Sequence, residues 1–284
     1  MVRRPAPVLR ARSRRRGPGP VTLAFAVPLA ALAYFLAAPA LPALAPGDET
    51  ILVAGTVGVL LVAATTLTLV PAHETRIGPL LVILGSGLLV AALNIDSAQG
   101  VGAAANVVEA LLASALGLIL AQLFTVPMSA IAVPLFVAAV DIASVWNGPT
   151  ARMLEDGTER VDPLSFDFPA WGDGGSAGHL GLSDAVFLSM FAAWSERYGF
   201  RRGMTLLGMV LGLLASPALS AAFDQAIPAL PLIAAGYLLP NLDRIAALLR
   251  HEQPAAEYQP RSLPPAAIWS RNETPSSLAR GMLR

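Results

Sequence analysis

The chain has 284 residues and no net charge at neutral pH; 55% are hydrophobic and only 13% charged, and the mean hydropathy of +0.62 is too high for a water-soluble domain of this length. The absence of cysteine excludes disulfides, thiolate metal sites and cysteine nucleophiles, and the balanced charge supplies no basic field for nucleic acid. What remains is a polytopic membrane protein whose first partner is the lipid bilayer, with no cofactor implied.

Residues 1–20 form an arginine- and proline-rich arm, read as a disordered cytoplasmic anchor of topology. All 19 basic residues are arginine, which fits a GC-rich bacterial genome and hence a cell (inner) membrane. The following run, Val21 to Leu44, is read as a retained helix, because it is longer than the apolar core of a signal peptide. Further apolar segments run from Ile51 to Val70, Ile77 to Ile95, Val101 to Phe124, Val126 to Trp146, Gly178 to Tyr198, Met204 to Ala222 and Ile227 to Leu249. Most approach the roughly 20 residues that a helix needs to cross about 30 Å of hydrocarbon. Backbone groups in lipid must be satisfied within their own segment, so the fold class is all-α: a transmembrane bundle of about eight helices over residues 21–249. An extramembrane loop at 147–177 interrupts it, and a Pro-, Ser- and Arg-rich tail, 250–284, is expected to be disordered.

The arginines give the orientation. With the arm inside, Arg76, the group Arg197, Arg201 and Arg202, and Arg244 and Arg250 all fall on the cytoplasmic side, and both termini are cytoplasmic. Asn272-Glu273-Thr274 matches a glycosylation sequon, a chance match on such a tail.

Two acids stand out. Asp184 lies in an apolar segment where a mid-helix aspartate costs about 2.5 to 3.5 kcal/mol, so it calls for a function and a partner. Asp141 lies five residues before Trp146, where its helix leaves the membrane, and Asp184 six residues after Gly178, where the next is expected to enter. Both then sit about 8 to 9 Å below one surface. Facing carboxylates can share one proton and a water, one as general base on the water and its partner as acid on a scissile carbonyl. Near the same level Pro228-Ala229-Leu230-Pro231 opens the last helix. Two prolines remove backbone donors there, predicting a partly unwound end that an extended peptide could pair with.

Asp141 in FVAAVDIASVW, Asp184 in HLGLSDAVF and the PALP segment resemble, in order and spacing, the YD, GxGD and PAL signatures of the presenilin and signal peptide peptidase family of intramembrane aspartyl proteases. Asn147-Gly148-Pro149 through Arg152-Met153-Leu154-Glu155 also resembles the start of the presenilin loop. The resemblance covers Val126 to Leu249. It implies hydrolysis of peptide bonds within transmembrane-helix substrates or signal peptides, with Asp141 and Asp184 as the catalytic dyad. Gly181, Leu182, Ser183, Pro228, Ala229, Leu230 and Pro231 would then shape the active site and bind substrate. The chain departs from the pattern in having Val140 for tyrosine, Ser183 for the glycine before the second aspartate, and four helices, against five, ahead of Asp141. These departures leave an inactive family member as an alternative. Ser183 adds little volume and can hydrogen-bond Asp184, so the change from glycine is expected to be tolerated.

Other chemistries have weaker support. The three histidines, His73, His179 and His251, contain no HExxH, so no zinc site is expected. A serine–histidine dyad needs a histidine on a later helix than its serine, and the last two helices have none. A proton-coupled transporter or channel could use Asp141, Asp184 and Glu109 as a relay, although no inverted repeat is visible. Glu109, with Asn106 one turn away on the same helix face, is read as a group satisfied by an interhelical hydrogen bond rather than as a proton relay. His179 is read as an interfacial residue, and Asp96, Asp162, Asp167 and Asp173 as solvated loop acids. Gly208 and Gly212 form a GxxxG, a surface for close helix packing inside the bundle or between copies in a homo-oligomer.

Overall fold

The computed structural model describes residues 20–44, 50–73, 77–95, 102–147, 165–172, 175–223 and 225–249. The N-terminal arm, Arg76, Asp96, the segment resembling the presenilin loop, Asp162, Asp173 and the C-terminal tail with its sequon lie outside them. Among the described residues there are eight helical segments: α1 (Pro20–Ala37), α2 (Thr56–Leu67, led in by a π-helical turn at Ile51–Gly55), α3 (Ile77–Ile95), α4 (Gly102–Leu123), α5 (Ser129–Asn147), α6 (Leu182–Arg197), α7 (Arg202–Phe223) and α8 (Ala229–Leu249). Residues 105–123, 129–146, 202–223 and 229–249 are each long and apolar enough to cross a bilayer, which marks the chain as a membrane protein. Large apolar side chains face outward on them, including Leu135 and Phe136 on α5 and Met204, Leu207 and Leu211 on α7. Outward-facing hydrocarbon of that extent suits lipid, not water.

Helix α6 is the centre of the bundle. From Asp184 to Ser195 every side chain but the half-buried Phe187 is buried, as expected of a helix whose apolar residues cover its whole circumference. It packs most extensively on α4. There the backbones nearly touch: a Cβ on Gly117 would collide with the Ser189 hydroxyl and the Val186 carbonyl. Hydroxyls tie the layer together, Ser114 donating to the Thr66 carbonyl at 2.6 Å and Ser189 to the Ser114 carbonyl at 3.3 Å, which satisfies groups that have no water to turn to.

Helices α7 and α8 form the second tight pair. A Cβ on Gly208 would meet the backbone of Gly236, and one on Gly212 the carbonyl of Leu232, so the GxxxG packs within the bundle. Helix α5 packs mainly on α8. At one end of the bundle Arg201 forms a double hydrogen bond with Asp243, both contacts at 2.8 Å, and Glu196 pairs with Arg202 at 3.1 Å. The α6–α7 turn therefore meets the C-terminal end of α8, and the N-termini of α6 and α8 lie at their opposite ends.

Two corrections to the sequence reading concern the stretch before α6. The interval read as loop contains an antiparallel hairpin, β1 (Ser165–Pro169) paired with β2 (Ser176–Gly181). Helix α6 starts at Leu182 rather than Gly178. The apolar run from Gly178 is extended because its backbone groups pair with β1, and Gly178 itself has φ +132°, in a region glycine enters without steric cost. Phe166 and Phe168 point inward and are fully buried, while Asp167 between them faces out, the two-residue alternation of a half-buried strand. The Phe168 ring fills the space left by the missing side chain of Gly58 on α2. Asn106 of α4 clasps the middle of β1, donating to the Asp167 carbonyl at 2.7 Å and accepting from its N–H at 3.2 Å. Asn106 is thus a hairpin anchor, and Asp167 is a strand residue rather than a loop acid.

Candidate active site

Asp184 is the third residue of α6, with Gly181 as the extended N-cap. A helix leaves its first N–H groups without intrahelical partners, and its N-terminus carries partial positive charge. An acid at the third position can turn back onto the cap backbone. Asp184 is placed to do so, its carboxylate beside the Gly181 backbone, and it is 8% exposed. A Cβ on Gly181 would stand 3.3 Å from the Asp184 carboxylate and from the Ser183 hydroxyl, so glycine leaves the carboxylate room. The Ser183 hydroxyl lies beside the same glycine, but among the described residues no hydrogen bond joins it to Asp184. The depth argument also changes, since Asp184 lies in the first turn of its helix and not six residues into it.

Asp141, half-buried near the end of α5, serves the N-terminus of another helix. Its Oδ2 accepts the Leu230 N–H at 3.0 Å. The PALP sequence explains why that donor is available. Pro228 is the N-cap of α8 and Pro231 its third residue, so two of the four initial positions have no N–H, and Ala229 and Leu230 alone remain as donors. Pro228 at φ −62° and ψ 135° ends the preceding extended segment. The prolines therefore place the start of the helix, and they leave α8 helical from Ala229 onward; only the residues before Pro228 are unwound.

The two aspartates line one cavity of about 1150 Å³, close enough to repel each other electrostatically. Of the residues expected to shape the site, Gly181, Leu182, Ser183, Pro228 and Ala229 line it as well. Leu230 is buried and reaches the site through its N–H, and Pro231 is not among the lining residues. Glu109 does not line the cavity either, which separates it from the relay considered above.

Sequence reasoning missed the hairpin wall, where Phe168, Ala177, Gly178, His179 and Leu180 line the cavity, and a polar strip, Ser216 and Ser220 of α7. The alternation Ser165-Phe166-Asp167-Phe168 was the signal for the first; nothing local marked the second. His179 faces Asp167 across the hairpin with Nδ1 at 3.6 Å from its carboxylate, both side chains about half exposed. Among the described residues no group of three or more His, Asp or Glu side chains is arranged to hold a metal ion.

The arrangement offers two carboxylates at two helix N-termini, polar backbone beside them, and a void large enough for water and a peptide. In comparisons with known proteins, no family model and no curated protein matches the chain.

Proposed function

We propose that the protein is an intramembrane aspartyl protease of the presenilin and signal peptide peptidase type, hydrolysing peptide bonds within transmembrane helices. The observation that carries this reading is the convergence of Asp141 and Asp184, from different helices, on one cavity beside the PALP helix start. In the proposed reaction the pair holds one proton. The unprotonated carboxylate takes a proton from a water as its oxygen attacks the scissile carbonyl carbon, and the protonated one gives its proton to the carbonyl oxygen, forming a gem-diol. Collapse returns a hydroxyl proton to one carboxylate, the other protonates the departing nitrogen, and the C–N bond breaks. Two helix N-termini stabilise negative charge as it moves between the acids. The open hairpin beside the dyad supplies extended backbone for an unwound substrate segment to pair with.

By the positive-inside rule the arginine-bearing end, with both chain termini, is cytoplasmic, and the dyad opens toward the other face of the cell (inner) membrane. Substrates with cytoplasmic N-termini suit that orientation. The test is cleavage of a reporter transmembrane helix by the purified protein in liposomes. Wild type should cleave, and Asp141→Ala and Asp184→Ala should each abolish cleavage. Full activity in either variant refutes the assignment, and coupled ion flux lost in the same variants would replace it with transport.

A further inference from the structure

The aspartates are not the only polar side chains on the cavity; the serines that line it also have a role. Ser216 and Ser220 lie four residues apart on α7 and so share one face. Both are spent on a single residue of the segment before α8. The Ser216 hydroxyl donates to the Ile227 carbonyl at 2.6 Å, and the Ile227 N–H donates to the Ser220 hydroxyl at 3.0 Å. The Gln225 N–H adds a bond to the Ser220 carbonyl at 3.3 Å. Ile227 is thus held by both of its backbone groups, immediately before Pro228. From there the chain has little freedom: Pro228 fixes its own φ, Ala229 begins the helix, and the next N–H is the one on Asp141.

The glycine contacts at Gly208 and Gly212 set the spacing of α7 and α8, but they do not fix the extended residues that lead into the first turn. A serine in a helix ordinarily returns its proton to a carbonyl of its own preceding turn. Ser216, 8% exposed, instead reaches across to Ile227, so its hydroxyl bridges two segments of the cavity wall.

We infer that Ser216 and Ser220 are positioning residues for the dyad, clamping Ile227 so that the Leu230 N–H is held on Asp141. This rests on the protease reading for its kinetic consequence, though not for its structural one. Ser216→Ala and Ser220→Ala should each lower kcat for reporter cleavage about tenfold, the size expected for losing one hydrogen bond that aligns a reacting group. KM should stay within about twofold, since the clamp grips the protein and not the substrate. Ser216→Thr keeps the hydroxyl and should recover most of the rate, and it serves as the second variant if the alanine forms fold poorly. In native-state hydrogen exchange the Leu230 amide should be protected in wild type and exchange at least tenfold faster in Ser216→Ala, with helix α6 amides unchanged. Unchanged kcat in both alanine variants, with wild type active and Asp184→Asn dead, overturns the clamp and spares the protease reading. If wild type cleaves nothing, the protease reading fails, and Leu230 exchange alone decides: equal rates in wild type and Ser216→Ala refute the clamp.

Discussion

Replacing Asp141 by asparagine and by alanine should separate its two roles. Asp141 accepts the Leu230 N–H at the start of α8, and it is one of two carboxylates on the cavity. Asparagine keeps an acceptor oxygen in the same place and loses the acid; alanine loses both. Substituting alanine for an N-terminal capping acceptor costs about 0.5 to 2 kcal/mol. Here the freed N–H borders a cavity with room for water, so the penalty should fall near the middle of that range, about 1 kcal/mol below Asp141→Asn. That difference is read from reversible unfolding in mixed detergent micelles, monitored by the near-ultraviolet signal of Trp194 and its neighbours. Reporter cleavage in liposomes should be lost in both variants alike. Equal stability of the two would show that the carboxylate does not cap α8, and cleavage by Asp141→Asn would show that the acid is not needed for chemistry.

Gly208→Val and Gly236→Val each drive a side chain into the facing backbone, so the two helices must separate to admit it. Each should destabilise the protein by about 1 to 3 kcal/mol or more, and the double variant by clearly less than the sum, because one displacement relieves both clashes; full additivity in unfolding measurements would place the contact elsewhere. Asn106→Leu removes both hydrogen bonds to the Asp167 backbone and should raise amide exchange across residues 165–181 while leaving α7 and α8 protected. Unchanged exchange in the hairpin would refute the anchoring role. Cleavage should show a bell-shaped dependence on pH, because the proposed chemistry needs one proton on the pair and fails with none or two. A rate that keeps rising toward either extreme across the stable range would contradict a shared proton.

The legible features were local ones. Apolar length places a helix almost regardless of its neighbours, since a segment in lipid must close its own hydrogen bonds; the third segment, Ile77 to Ile95, was read to the residue. Asp141 and Asp184 stood out because an acid is conspicuous in hydrocarbon, and the two prolines around Ala229-Leu230 because each deletes a donor. The start of α6 was misread for the same reason: Gly178-His179-Leu180-Gly181 is apolar enough to extend a helix, and only its pairing with β1 makes it a strand.

What the sequence determined by itself is the number of helices, their order and the two acids that stand in apolar segments, because each depends on residues within about 20 positions of one another. The tertiary structure decided which groups those acids meet. The Leu230 N–H reaches Asp141 across 89 residues, Asn106 holds β1 across 61, and α7 lies against α8 through glycines whose partners no local pattern specifies. Such contacts form when distant backbones approach closely enough to share a hydrogen bond or a missing side chain, and that approach is a property of the packed bundle rather than of any segment in it.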